Sequence, residues 1–230
     1  MKPPSSPSPN QAPAFAAVLD DSHPHPDERR AHWEKVFGEK DEAEVSWFQT
    51  RPAMSLDFIR RTGANPSAKI VDVGGGASRL VDELIDAGYA DIVVVDIAAA
   101  ALAKARARLA ERTGRVQWVV SDIAQWQPEA AFDVWHDRAV FHFMVQPEDR
   151  DAYLTTMRRA LKRGGHAIIA TFGSNGPERC SGLVVQRYEP ETLEAVLGPD
   201  FRRIESMHEE HVTPAGKVQA FQFSLFERVQ

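Results

Sequence analysis

The chain has 230 residues, 43% hydrophobic and 26% charged, with a net charge of −6 and one cysteine. That length is enough for one full hydrophobic core. The negative balance gives no footprint for a nucleic-acid backbone, and the lone Cys180 excludes an intrachain disulfide or multi-cysteine metal framework.

The first 28 residues are rich in Pro, Ser and Ala and read as a disordered tail ahead of a single domain over 29–230. The start, M-K-P-P-S-S-P-S-P-N, lacks the apolar core of a signal peptide. No apolar run approaches the roughly 20 residues that cross a bilayer. The expected setting is therefore a reducing cytoplasm without membrane contact.

From Glu28 to Phe37 the pattern is helical, with Trp33 and Phe37 on one face. Trp47 and Phe48 follow, and Pro52 opens a helix through Ile59 and Arg60. These aromatics either cover an edge of the core or form a lid; spacing alone favours packing. Lys69 to Val73 reads as a buried strand, broken by Gly74, Gly75 and Gly76. Helical spacing resumes at Leu80, Val81, Leu84 and Ile85. Glycine without a Cβ lets a ligand lie against the backbone, and the following helix N-terminus suits a polar cofactor.

A second strand, Asp91 to Ile97, ends in Asp96, and an alanine-rich helix follows to Arg112. Val116 to Val120 is the third strand, leading into Ser121, Asp122 and Ile123. Phe132 to Trp135 is the fourth, running into H-D-R-A-V-F-H-F-M. Pro147 to Leu161 is helical, His166 to Phe172 is the fifth strand, and a long loop precedes the helix Pro190 to Leu197. Two strands around Arg203 to Met207 and Val218 to Glu227 close the chain. The pattern calls for an α/β fold: a mainly parallel seven-stranded sheet, helices on both faces, and an antiparallel C-terminal hairpin.

Ligands bind such sheets at the carboxyl ends of the strands. Asp96, twenty residues past Gly76, suits the two hydroxyls of a ribose, or else caps the next helix. Asp122 and Ile123 then face an adenine, the former accepting from its amino group. A dinucleotide fingerprint wants a third glycine where Arg79 stands. Asp72, two residues before Gly74, instead suits a cationic ligand such as the ammonium of a methionine moiety.

The motifs V-D-V-G-G-G-A-S, V-V-V-D-I, S-D-I, F-D-V-W-H-D-R and L-K-R-G-G-H together resemble those of the class I S-adenosylmethionine-dependent methyltransferases, in family order from Lys69 to Phe172. The resemblance implies a Rossmann-like methyltransferase fold. It assigns Asp72 and Gly74 to Gly76 to the methionine part, Asp96 and Ile97 to the ribose side, and Asp122 and Ile123 to the adenine. S-adenosylhomocysteine would be the product. A narrower likeness to the thiopurine S-methyltransferase group rests on H-W-E-K-V-F-G-E-K and D-R-A-V-F-H-F-M-V-Q-P-E-D-R-D-A-Y. It would make residues 29–66 lid helices, with Trp33, Phe37 and Trp47 over the cofactor, and would put Arg138 at the active site. Many relatives carry G-C-G where this chain has G-G-G.

Methyl transfer from a sulfonium is an in-line displacement. Positioning alone can remove on the order of 7–11 kcal/mol of its barrier. A protic acceptor must lose its proton, and the candidates for that role are His136, Asp137 and His142. A thiol or similar chalcogen needs a base less, leaving Arg138 to stabilise an anion or hold an acidic substrate. No His/Asp/Glu spacing suggests a metal, and Cys180 reads as a spectator. The expected function is methyl transfer to a small-molecule nucleophile, with a thiol or other heteroatom favoured. Protein lysine methylation is the alternative, since H-D-R-A is similar to a D-K-G segment in small lysine methyltransferases of this fold. A non-catalytic cofactor-binding protein is a third reading, and a nicotinamide oxidoreductase a distant fourth.

Overall fold

A computed structural model of the chain describes residues 25–230. Residues 1–24 of the expected tail over 1–28 lie outside them, and its last residues, Pro26 to Glu28, belong to a helix. In chain order the elements are α1 (Pro26–Glu39), α2 (Ala53–Arg61), β1 (Lys69–Val73), α3 (Leu80–Asp86), β2 (Asp91–Asp96), α4 (Ala99–Leu109) and β3 (Val116–Val120). Next come β4 (Phe132–Arg138), α5 (Pro147–Ala160), β5 (Leu161–Phe172), the short pair β6 (Arg179–Cys180) and β7 (Leu183–Val184), α6 (Pro190–Leu197), β8 (Phe201–Val212) and β9 (Val218–Arg228).

Seven strands form one sheet in the order β3-β2-β1-β4-β5-β9-β8. The β1·β2, β2·β3, β1·β4 and β4·β5 pairs are parallel, whereas β9 runs antiparallel to both β5 and β8. The expected fold is therefore present. Strand alternation feeds two cores. On one face, Ile70, Ile92 and Val134 pack with α2 and α3 through Leu56, Ile59, Leu80 and Leu84. On the other, Val71, Val93, Trp135 and Ile169 pack with Tyr153, Met157 and Leu193 of α5 and α6. Both sides of β1 and β2 are dry, and their sequences are accordingly near-continuous apolar runs.

Three boundaries differ from the sequence reading in ways that matter. Strand β4 continues to Arg138 because His136 to Arg138 stay in register with Ile168 to Ala170 of β5. The long loop after β5 contains the β6–β7 hairpin, with Arg179 opposite Val184. A single 3-10 turn, Glu42–Glu44, lies between α1 and α2; its Glu42 pairs with Arg79 at 2.5 Å.

Helix α1 crosses the C-terminal edge of the sheet. Its Glu34 carboxylate accepts from the backbone N–H groups of Ala99 (2.7 Å) and Ala100 (3.0 Å). Helix α4 begins after Ala98, which has no side-chain acceptor of its own; α1 supplies the missing cap. Among the described residues, no helix is long and apolar enough to span a membrane.

Candidate active site

The order β3-β2-β1-β4 reverses direction at β1, and the crevice opens there, at the carboxyl ends of the strands. One lobe, open to solvent, spans about 790 Å³ and is bounded by Gly74, Asp96, Ile97, Asp122, Ile123, Trp33, Trp47 and Arg138, among others. A second lobe lies against Asp72, Gly74 to Gly76, Ser55 and His136. Phe37, Trp47, Val73, Gly74 and Arg138 line both.

The glycine loop is tight on its protein side. At Gly75 a Cβ would stand 2.6 Å from Asp72 Oδ2 and 2.6 Å from Val94 Cγ1. At Gly76, where φ is +47°, it would stand 3.0 Å from Asp96 Oδ2. The backbone can therefore sit directly beside the two carboxylates only without side chains.

Asp96 is 6% exposed. Its Oδ1 accepts from Ala98 N–H at 2.8 Å, the helix-entry bond that was the alternative to a ribose role. Burial, aided by the charges of Asp72 and Glu34, pushes its carboxyl up to about 7. Backbone donors at Ala98 and Gly76 only partly offset that burial, and two vicinal hydroxyls are donors of the kind that would stabilise the anion further. Asp72 is buried and meets His136 Nδ1 at 2.8 Å through Oδ1, while Oδ2 faces Gly75. An adenosine-containing cation with a polar tail fits this set of acids and bare backbone.

Asp122 also lines the crevice, but its carboxylate is already engaged. Oδ1 accepts from Ala124 N–H at 2.9 Å and Oδ2 from Arg29 Nη2 at 3.0 Å. The same guanidinium reaches Asp149 at 2.6 Å. Arg29 was missed in the sequence, where D-E-R-R carries no mark of burial.

The three residues expected to act as bases are each fixed by their surroundings. His136 has both ring nitrogens in use, on Asp72 and on Ser55 Oγ at 2.9 Å. Asp137 points to the opposite face of β4, where it accepts from Val140 N–H (2.8 Å), Phe141 N–H (3.0 Å) and Tyr153 OH (2.5 Å). That is a structural clamp on the next turn, in which Ala139 holds φ at +73°. Burial lifts Asp137 to about 6, but it lines neither lobe. His142 is wedged against Phe143 and Phe172. Burial, then the Arg138 charge, push its ring down to about 3, so it stays neutral and weakly basic.

Arg138 shares the His136 face of β4, two residues on. Its side chain is 10% exposed, and Nη1 donates to the Trp47 carbonyl at 3.1 Å. Burial lowers its pKa to about 10, leaving it charged at neutral pH. Cys180 lies in the same lobe, and burial pushes its thiol up to about 12. Over this end stand the aromatics: Trp33 and Trp47 have ring centroids 5.7 Å apart, and Trp33 and Phe143 5.2 Å. Phe37 completes the group at 6.0 Å from Trp47. Trp33, Phe37 and Trp47 pack on Ala77, Ala98 and Ala101 while facing the crevice, so packing and covering are one arrangement.

Comparison with known proteins agrees with this geometry. A family profile described as a methyltransferase domain matches residues 70–165. The eEF1A lysine and N-terminal methyltransferase of Bos taurus is 29% identical over 144 residues, 60% of this chain and 20% of that protein. Trans-aconitate 2-methyltransferase of Azoarcus sp. (strain BH72) is 27% identical over 130 residues, covering 56% of this chain and 49% of that one. The chain thus spans about a fifth to a half of the length of these two relatives. Among solved structures, the Burkholderia thailandensis 1,6-didemethyltoxoflavin-N1-methyltransferase superposes with a TM-score of 0.65 at 21% identity, covering 92% of this chain and 94% of that one. That structure holds 1,6-didemethyltoxoflavin and S-adenosylhomocysteine.

Proposed function

We propose that the chain is a class I S-adenosylmethionine-dependent methyltransferase whose acceptor is a small molecule carrying a thiol or comparable heteroatom nucleophile, a reading supported by the methyltransferase-domain match over residues 70–165. When bound, S-adenosylmethionine supplies a methyl group already activated by its sulfonium. The protein's own work is to grip, orient and dry the reactants.

In this reading Asp96 accepts from the ribose hydroxyls, and Asp72 with the Gly74 to Gly76 loop holds the cationic methionine end. Ile97 and Ile123 bound the nucleoside. Asp122, tied up by Arg29, contributes to its surroundings with the lone pairs left over. Trp33, Phe37 and Trp47 keep water from the reacting end.

The observation that carries the acceptor class is that Trp33, Trp47 and Phe143 wall the lobe into which Arg138 faces. A crevice walled by aromatic rings at this end suits a compact, flat acceptor better than a lysine presented on a protein surface. The chemistry of the chamber supports the nucleophile type. His136 is doubly bonded, while Asp137 and His142 line neither lobe. An acceptor that ionises easily in water, as a thiol does, has little need of a base.

An assay for S-adenosylhomocysteine release across thiols, amines, carboxylates and a protein lysate tests this. Turnover of small thiols is the expected result. Methylation confined to lysine residues or N-termini in the lysate would move the chain to the protein-modifying class, the activity named for the Bos taurus relative.

A further inference from the structure

Strand register gathers three polar side chains beneath the glycine loop. Asp72 of β1 and His136 of β4 are partners in the parallel pair. Each stands two residues past an apolar neighbour, Ile70 and Val134, so both lie on the face that α2 covers through Leu56 and Ile59. Ser55 of that helix completes a row. Its Oγ is 2.9 Å from His136 Nε2, and His136 Nδ1 is 2.8 Å from Asp72 Oδ1. None of the three is more than 3% exposed, yet all of them border the second lobe of the crevice.

A polar row against an apolar helix face is costly unless it is bonded throughout. A carboxylate only accepts, so the Nδ1 proton faces Asp72, and the Ser55 hydroxyl can serve Nε2 as donor or acceptor. The row is satisfied from Ser55 as far as Oδ1 and stops there. Oδ2 has no hydrogen-bond partner among the described residues and keeps contact with the lobe. It lies against Gly75, where a Cβ would stand 2.6 Å from it. Asp96, by contrast, is held by backbone donors at Ala98 and Gly76. Asp72 depends on a side chain.

We infer that His136 is a positioning residue for the cofactor: its Nδ1–H holds the Asp72 carboxylate by one oxygen and so presents the other to the ligand's ammonium. This rests on the reading that Asp72 takes the methionine end. The last torsion of an aspartate is soft and roughly two-fold. A charge-assisted bond to Oδ1 removes that freedom before the ligand arrives, which lowers the cost of binding. Ser55 acts one step further back, by holding the ring.

The test uses the whole protein and calorimetry with two ligands. One is S-adenosylhomocysteine; the other is 5′-methylthioadenosine, a nucleoside thioether without the amino-acid end. In His136→Asn the amide nitrogen stands close to the place of Nδ1 and keeps the donor. In His136→Gln it reaches toward Ser55 instead. His136→Gln is expected to bind S-adenosylhomocysteine at least about tenfold more weakly, about one hydrogen bond to a charged group. Its affinity for methylthioadenosine should stay within about threefold of wild type, and His136→Asn should stay within about threefold for both ligands. Equal losses of S-adenosylhomocysteine in the two variants, or no loss in either, overturn the role of the donor. A His136→Gln loss shared by both ligands reduces the ring to packing. Asp72→Asn separates this inference from the placement it rests on. If that variant keeps the full preference for S-adenosylhomocysteine over methylthioadenosine, Asp72 does not take the amino-acid end and the placement fails. If it loses the preference while His136→Gln keeps it, the positioning role alone fails.

Discussion

Arg29 and Asp122, 93 residues apart in sequence, meet at 3.0 Å and tie the first turns of α1 to the end of β3. The bridge extends to Asp149 of α5, so one guanidinium joins the covering helix to both the crevice edge after β3 and the helix behind it. Asp122 is nearly buried, at 4% side-chain exposure, and Arg29 is at 11%. Removing the arginine strands a carboxylate.

Arg29→Ala is therefore expected to cost about 1–3 kcal/mol and to loosen α1 before the rest of the domain. Hydrogen exchange across Pro26–Glu39 should speed up, and affinity for S-adenosylhomocysteine should fall. Unchanged exchange in that segment would remove the bridge as the fastening of α1.

Asp96 makes cofactor binding depend on pH. Its carboxyl is pushed up to about 7 by burial, above its ordinary value near 4. An acid raised on folding stabilises the unliganded protein most while protonated, and that contribution fades as pH rises through about 7. Ribose hydroxyls donating to it favour the anion, so the affinity trend has the opposite sign. S-adenosylhomocysteine should bind roughly tenfold tighter at pH 8 than at pH 6. Calorimetry in two buffers of different ionisation enthalpy should register proton release on binding. Asp96→Asn should flatten the profile, and Asp96→Ala should reduce binding beyond detection. Near-normal affinity in the alanine variant refutes the ribose assignment.

Gly75→Ala places a methyl 2.6 Å from both Asp72 Oδ2 and Val94 Cγ1. The loop must shift, at about 1–3 kcal/mol. The melting temperature should drop by several degrees, and cofactor affinity should fall more than stability alone accounts for. A variant with wild-type affinity would show that the loop does not contact the ligand.

His142 is a negative control with a physical rationale. Both its ring nitrogens are buried without partners, between Phe143 and Phe172. His142→Phe removes those unmet groups, so its melting temperature should stay within a few degrees of wild type. Its kcat and the pH profile of kcat should be unchanged. A tenfold loss of kcat with the fold intact would reinstate the ring as a proton acceptor.

The sheet and the crevice at its strand ends were legible because they rest on local signals. Ile70 to Val73 and Ile92 to Val95 are apolar runs that end at Gly74 and Asp96, and strand ends of that kind announce themselves. The acceptor side was not, for two reasons. Reading β4 as ending at Trp135 left His136, Asp137 and Arg138 without assigned faces. Their alternation, with Asp137 turned to Tyr153 and Arg138 toward Trp47, appears only once the strand runs on. Arg29 owes its role to partners 93 and 120 residues away. In sequence it is an ordinary charged residue on a helix.

Glu34's bonds to Ala99 and Ala100 bear on how the chain can be cut. A shortened version beginning at residue 41 would lose the first turn of α4 together with the aromatic cover, because two amide groups there would face solvent without their acceptor. Ala101, which packs beneath that cover, sits in the same turn. Trimming the amino end back to the first strand would thus yield a frayed wall on the nucleoside side, and crystallisation or fusion designs should keep everything from Pro26 onward.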